Sequence, residues 1–85
     1  MMRTKQVTIP AKVVEVTFAQ YVGGRIRERR KELGLSQDAI AASCDISKPF
    51  LSECENGKRS IGFCKLYEVA KVLKRPTDWF AEGWD

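Results

Sequence analysis

Apolar residues recur at two different spacings along the chain, and the change of spacing divides it into two regions. β-Branched residues dominate positions 5–16, where valine and isoleucine recur two positions apart, as in a β-strand. Pro10 interrupts this stretch, which therefore predicts either one broken strand or two short ones. Later apolar residues recur every three or four positions, as in amphipathic helices. The pattern predicts a strand-forming arm over residues 1–16 and a helical domain over residues 17–85.

The arm has no obvious partner in the pattern. A pair of isolated strands is marginally stable in water. An ordered arm therefore requires either the same segment of a second subunit or the surface of the helical domain. A disordered arm is the alternative, and the sequence leaves these possibilities open.

The first helix is predicted by its capping residues. The segment Thr17-Phe18-Ala19-Gln20 matches a capping box, in which the threonine and glutamine side chains bind free backbone amides. The helix is expected to run to about Leu33, with Gly34 behind it. Gly23 and Gly24 weaken it, because glycine is a poor helix former. The helix therefore either bends at these residues or begins at Gly24.

The next two helices are short and are joined by a sharp turn. Ser36 can cap a helix over residues 37–44, and Ser47 can cap one over residues 48–56, because a serine hydroxyl accepts a hydrogen bond from a first-turn amide. Asp45 stands at the turn between them, and aspartate tolerates the left-handed conformation better than most residues. This arrangement is a helix-turn-helix, whose second helix can enter the major groove of DNA.

Two more helices are predicted after this pair. The first covers residues 63–74 and ends before Pro76, and a short one covers residues 78–82. Large aromatic residues cluster near the end of the chain: Trp79, Phe80 and Trp84. They either complete the core or lie at a contact with a second copy, where aromatic residues are enriched.

The sequence from about Gly24 to Phe80 resembles the helix-turn-helix of the phage Cro and C1 repressors, also called the Xre family. The resemblance rests on GRIRERRKELGLSQ, on S-x-x-x-L-S-x-x-E-N-G-K, and on LYEVAKVL followed by TDWF. Asp45 departs from the family's usual turn glycine, and Arg29 and Cys54 stand where apolar residues are more usual. The resemblance implies an all-α, five-helix, lambda-repressor-like DNA-binding domain, here with an N-terminal β-strand arm.

The resemblance also implies how the motif divides the contacts with DNA. Phosphate contacts supply affinity, and contacts to base edges supply sequence choice. The residues expected to contact bases lie on the second motif helix: Lys48, Pro49, Phe50, Ser52 and Glu53. The residues expected to contact phosphates lie at the start of the first motif helix and after the second: Gln37, Asn56, Lys58 and Arg59. Arg30 and Glu55 are expected to form a partly buried structural ion pair.

Individual residues on the second motif helix differ in the contacts that they can make with DNA bases. Lys48 can donate to guanine, and Glu53 can accept from cytosine. Pro49 makes fewer polar contacts than the family's usual residue at that position. Phe50 can either touch a thymine methyl group or belong to the core.

Composition restricts the remaining possibilities. A net charge of +4 suits an anionic partner without identifying one. Because the chain has no histidine and no glycine-rich phosphate loop, we expect no enzymatic activity and no cofactor. No C-x-x-C pair occurs among the three cysteines Cys44, Cys54 and Cys64. We therefore expect each of them to be a small buried residue and not part of a disulfide framework or a metal site. Neither a membrane-spanning window nor a signal peptide is present in the pattern, which favours a cytoplasmic protein without a membrane partner.

The expected function is sequence-specific binding of double-stranded DNA by a homodimeric transcriptional regulator, most simply a repressor, on a pseudo-palindromic operator. The dimer is expected because one small module rarely supplies enough affinity and specificity alone. The alternative is a protein-interaction module, in which the arm and the aromatic residues bind a partner such as a toxin. The sequence names neither the operator nor the regulated genes.

Overall fold

The computed structural model describes residues 4–9 and 12–84, so Pro10 and the chain ends lie outside the described residues. Within these ranges the chain forms a β-hairpin, four α-helices and one turn of 3-10 helix over Thr77–Phe80. The hairpin and helices are β1 (Thr4–Ile9), β2 (Lys12–Thr17), α1 (Phe18–Glu32), α2 (Gln37–Cys44), α3 (Lys48–Glu55) and α4 (Phe63–Val72). The predicted bounds of these four α-helices agree with the structure to within two residues.

The fifth predicted helix is a single 3-10 turn, so the prediction of five helices is wrong, whereas the prediction of a mostly helical domain behind a β-strand arm is confirmed. The segment lies between Pro76 and Gly83, whose φ of 85° turns the chain. A first α-helical turn is costly to form, and so short a segment adds few hydrogen bonds to offset it. The segment instead forms a tight turn that places Phe80, with 0% exposure, in the core.

The two strands of the arm pair with each other. β1 and β2 are antiparallel, in a register that runs from Thr4 opposite Thr17 to Ile9 opposite Lys12. The sequence allowed either one broken strand or two short strands, and the second interpretation is confirmed. The two halves of the arm supply each other's backbone hydrogen bonds. The hairpin also contacts the helical domain, where Lys5 Nζ lies 5.8 Å from the centre of the Tyr21 ring. Contact of the arm with a second subunit stays a prediction.

Thr17 joins the hairpin rigidly to the helical domain. It is the last residue of β2 and also the N-cap of α1. Its backbone N–H donates to Gln20 Oε1 at 2.8 Å, and its Oγ1 accepts from the Gln20 N–H at 3.1 Å. The capping box is therefore present, and α1 begins here rather than at Gly24.

The core lies between the four α-helices and the 3-10 turn. Each element contributes at least one side chain with at most 2% exposure. The largest of these are Ile26, Ile40, Leu51, Val69, Leu73 and Phe80. The apolar periodicity of the sequence therefore identifies the faces that the helices bury.

A glycine allows α1 to approach the end of α3. A Cβ atom added at Gly23 would lie 2.0 Å from the backbone oxygen of Cys54 and 2.9 Å from that of Glu55. Both obstacles are backbone atoms, so they cannot move aside as a flexible side chain would. Gly24 is exposed, and an added Cβ atom there would meet nothing within 4 Å. The two adjacent glycines therefore have different roles, and only Gly23 is required by packing.

A buried carboxylate holds α1, α2 and α3 together. The side chain of Glu55 on α3 is 0% exposed. Its Oε2 accepts from Arg30 Nε at 2.7 Å, and its Oε1 accepts from Arg30 Nη2 and from Gln37 Nε2, each at 3.0 Å. Arg27 Nε lies 3.4 Å from Oε1. Two arginines of α1 and one amide of α2 thus converge on one side chain of α3.

These contacts control the ionisation of Glu55. Burial by itself raises the pKa of a carboxyl group, because it disfavours the charged form. The hydrogen bonds from Arg30 and Gln37, together with the charge of Arg30, outweigh burial and hold the pKa of Glu55 below its usual value. The carboxylate is therefore charged at neutral pH, as its two arginine partners require.

We expect Gly23→Ala to destabilise the fold and Gly24→Ala to stabilise it. The first substitution forces backbone atoms of α1 and α3 apart and should lower the free energy of unfolding by about 1–3 kcal/mol. The second replaces an exposed helical glycine and should raise it by up to about 1 kcal/mol. Urea denaturation of both variants measures the difference. Equal effects of the two substitutions would contradict the proposed close approach.

We expect Glu55→Gln to lower the free energy of unfolding by about 3 kcal/mol at neutral pH, because Arg30 keeps its buried charge and loses its partner. The pKa of Glu55 is lower in the folded than in the unfolded state. Its contribution to stability is therefore complete above the unfolded pKa of about 4.3 and is lost as the pH falls through the folded pKa.

The measurement for Glu55→Gln is urea denaturation from neutral pH downward. The difference between wild type and variant should shrink below about pH 4. Glu28→Gln is the control, because Glu28 is half-exposed and lies 4.0 Å from Arg25. It should change the free energy of unfolding by less than about 0.5 kcal/mol. If the difference in free energy of unfolding between wild type and Glu55→Gln does not change with pH, the charge of Glu55 is not the source of its contribution to stability.

Candidate nucleic-acid interface

Local hydrogen bonds fix the two helices of the motif. Ser36 Oγ accepts from the Ala39 N–H at 3.0 Å, and Ser47 Oγ accepts from the Phe50 N–H at 3.1 Å. Asp45 adopts the left-handed conformation, with φ 53° and ψ 47°. Both predicted caps and the predicted turn are therefore confirmed, and α3 leaves the turn in one defined direction.

α3 has a buried face and an accessible face. Leu51, Cys54 and Glu55 are buried. The accessible residues are Lys48 and Pro49, which are exposed, and Phe50, Ser52 and Glu53, which are partly exposed. All five side chains proposed to contact bases are therefore outside the buried core. Phe50 is not a core residue, so that interpretation of Phe50 is wrong.

Two ion pairs lie on the accessible surface of the motif. Arg59 Nε lies 2.9 Å from Glu53 Oε1, and its guanidinium group lies 5.5 Å from the centre of the Phe50 ring. Lys48 Nζ lies 3.5 Å from Asp38 Oδ2. Both pairs are exposed, and exposed pairs contribute little stability. Their basic members can therefore exchange a carboxylate for another anion at small cost.

The structure brings Arg59 and Glu53 together, although the sequence analysis assigns them to different roles. One is expected to contact phosphate and the other a base edge. Because Arg59 holds the carboxylate of Glu53, a change at Arg59 also changes the position of Glu53. Lys58 is exposed and follows α3 directly. It is therefore a simpler probe of phosphate contact than Arg59.

Gln37 and Asn56 also form side-chain hydrogen bonds with other residues of the protein. Gln37 Nε2 donates to Glu55, so the side-chain amide is partly committed to the buried network. Asn56 Oδ1 accepts a hydrogen bond from Arg27 Nη2. Both residues remain proposed phosphate contacts, Gln37 through the backbone amides at the start of α2 and Asn56 through its remaining side-chain donors.

Arg27 is a residue that the sequence analysis missed. Its side chain is 40% exposed and contacts both Glu55 and Asn56 at the end of α3. Its position three residues before Arg30 places both side chains on the same face of α1, which is the signal that identifies it. Arg27 therefore connects the buried network to the accessible side of the motif.

The cysteines differ from one another. Cys44 and Cys54 are buried, as expected, and burial raises the pKa of each thiol. Cys64 is exposed, so its predicted burial is wrong. It lies at the second position of α4, on the side facing away from the core. Among the residues that the structure describes, none of the cysteine and carboxylate side chains cluster in a group able to hold a metal ion.

The helices of the described chain are also too short or too polar to cross a membrane.

Comparison with known proteins identifies the same motif. A helix-turn-helix family model, HTH_3, matches residues 26–80, which is more than half of the chain. An uncharacterized transcriptional regulator in the ATPase CF(0) region of Rhodospirillum rubrum is 37% identical over 60 residues, covering 71% of this chain and 56% of that protein. The chain spans about half the length of the first curated relatives that it matches.

Solved structures share the fold. The P22 c2 repressor in complex with a synthetic operator has a TM-score of 0.70 and 30% identity, over 75% of this chain and 97% of that chain. The N-terminal DNA-binding domain of SinR from Bacillus subtilis has a TM-score of 0.71 and 26% identity, over 76% and 96%. The family match, these similarities and the motif geometry agree. The chain belongs to the HTH_3 helix-turn-helix family, of the Cro/C1 (Xre) type.

Proposed function

We propose that this protein binds double-stranded DNA sequence-specifically through the accessible face of α3 and regulates transcription. The observation that carries this proposal is the arrangement of α3, whose polar, accessible side chains are held on a helix fixed from behind by the buried Glu55 network. A rigid helix with such a face can enter the major groove and present side chains to base edges. The similarity to a repressor bound to its operator and to the SinR DNA-binding domain supports the proposal.

The proposed contacts fall into two groups. Lys48 lies in the first turn of α3 and is proposed to donate to guanine, while Glu53 accepts from cytosine. The second group follows α3, where Lys58 and Arg59 are exposed and proposed to contact phosphates. Arg27 adds a partly exposed positive charge beside Asn56. Base contacts thus come from the helix itself and phosphate contacts from its borders.

A homodimer on a pseudo-palindromic operator is part of the proposal. One module of this size offers a single recognition helix and a small contact area with DNA. Two copies related by a two-fold axis place two recognition helices on successive major grooves, about 34 Å apart. Repression is the simplest outcome, because a dimer bound over a promoter excludes other proteins from it.

We expect Lys48→Ala and Lys58→Ala to weaken DNA binding in different ways. Loss of a phosphate contact at Lys58 should weaken binding to all sequences alike and lower the salt slope by about 1. Loss of a base contact at Lys48 should weaken binding to the preferred site about fivefold to more than a hundredfold and relax the choice at one base pair. Each substitution removes one positive charge, so the two variants are matched controls for each other.

The measurement begins with selection of bound sequences from random double-stranded DNA. Affinities for the selected site and its single-base variants are then determined at several salt concentrations. If Lys48→Ala weakens binding to every sequence equally, the proposed reading face is wrong. If the wild-type protein selects no sequence and binds no duplex, the proposed function is wrong.

A further inference from the structure

An exposed aromatic ring lies at the start of α4. Phe63, the first residue of α4, is 69% exposed, and its ring centre lies 6.4 Å from that of Tyr67, which is 52% exposed. By contrast, the aromatic residues near the C-terminal end of the described chain pack within it. Phe80 is fully buried, and Trp84 contacts the ring of Phe18. Of the two interpretations of these C-terminal residues, completion of the core is therefore the correct one for Phe80.

An apolar groove lies next to Phe63 along the chain. Ile61, two residues before Phe63, and Leu66, three residues after it, both line the groove. The groove has a cavity volume of about 110 Å³, and Phe63 is not part of its walls. The other apolar walls are formed by Phe18, Ala19, Val22, Cys54 and Ala81. One surface thus carries both an apolar ring that protrudes and an apolar groove.

The charges of this surface suit contact with an identical surface. Lys65 and Glu68 are the charged residues nearest to Phe63 in α4, and they form an ion pair at 3.3 Å. Lys71, whose Nζ lies 5.6 Å from the centre of the Tyr67 ring, adds one positive charge, so the charged side chains of α4 sum to +1 against +4 for the whole chain. A two-fold contact places the same surface on both sides, so a strongly charged surface would repel its own copy.

The position and size of the domain also favour a second copy. Residues 56–62 connect α3 directly to Phe63, so this surface borders the proposed DNA-reading face. The Cα atoms of the chain, with the hairpin included, span 34 × 28 × 23 Å. Half-sites of helix-turn-helix dimers lie about 34 Å apart. This spacing is similar to the longest dimension of one chain, so two copies on adjacent half-sites lie near enough for their neighbouring surfaces to make contact.

We propose that Phe63 of one copy inserts into the apolar groove of a second copy, and that Phe63 of the second copy inserts into the groove of the first. The two contacts are equivalent under a two-fold axis, so the assembly closes as a dimer. This inference rests on the proposed function, because the two-fold arrangement serves paired half-sites. The surface through which the two copies of the dimer contact each other is then the one formed by Phe63 and the apolar groove.

Two substitutions separate the ring from the groove. Phe63→Ser removes the ring and leaves the groove intact, whereas Ala81→Leu fills the groove and leaves the ring intact. Sedimentation equilibrium of the full chain without DNA should show that each variant raises the dimer dissociation constant about tenfold or more. Lys31→Ser is the control, because it shortens an exposed side chain of α1 and should leave the constant unchanged.

Mixing the two variants gives the decisive result. A dimer of one Phe63→Ser chain and one Ala81→Leu chain keeps one complete contact, since the first supplies a groove and the second supplies a ring. The mixture should therefore associate more tightly than either variant alone. Circular dichroism establishes that each variant is folded, and Ala19→Leu, at another wall of the groove, replaces Ala81→Leu if that variant unfolds.

The outcomes distinguish this inference from the proposed function. Unchanged dissociation constants, a mixture no tighter than its components, or a wild-type monomer at the highest concentration reached would overturn the inference. The same variants are then tested on DNA with one half-site and with two. If the inference holds, Phe63→Ser loses affinity only for the paired site. If the wild type binds no DNA, the function fails, and sedimentation still decides the inference.

Discussion

The buried carboxylate of Glu55 is the interaction on which the motif depends. Desolvating a charged group is costly, and the cost is recovered only when hydrogen bonds and opposite charges surround it. Here the required donors come from Arg30 and Arg27 on α1 and from Gln37 on α2. Since Glu55 itself belongs to α3, its charge can be buried at low cost only when all three helices are in place. The orientation of the recognition helix is thereby tied to folding of the domain.

The same requirement links folding to the proposed interface. Gln37 and Arg27 satisfy the buried carboxylate, yet they lie at the start of α2 and beside Asn56, where phosphate contacts are proposed. Residues at this border thus hold α3 in place and also lie where contact with DNA is proposed. On the accessible side, Glu53 and Arg59 are paired before DNA arrives. The polar surface is therefore partly ordered in the free protein, which reduces the entropy lost on binding.

Close approach of the helices depends on small residues at a few positions. Gly23 lets α1 meet the carboxyl end of α3 at backbone distance, and this proximity allows Arg27 and Arg30 to reach Glu55. Thr17 begins α1 directly at the end of the hairpin and so fixes where that helix starts. The hairpin is thereby attached to the element that carries the network.

Local signals in the sequence determined the parts of the fold that depend on neighbouring residues. Ser36, Ser47 and Asp45 specify the ends and the turn of the motif, because a cap or a left-handed residue acts within three or four positions. The apolar periodicity identified the buried faces for the same reason. The family was also predictable, because its signature lies in the order and spacing of these local features.

Only the tertiary structure decided the features that depend on distant residues. The arm's two strands are each other's partners, and the last segment forms a 3-10 turn around a buried Phe80, although its local pattern favours an α-helix. Gln37 and Arg27 join a network whose centre lies 18 and 28 positions away. Exposure of Phe63 likewise depends on where along α4 the core ends, because Phe63 lies three residues before the partly buried Leu66. Side-chain burial and long-range pairing arise from packing of whole elements, which spacing within one element does not specify.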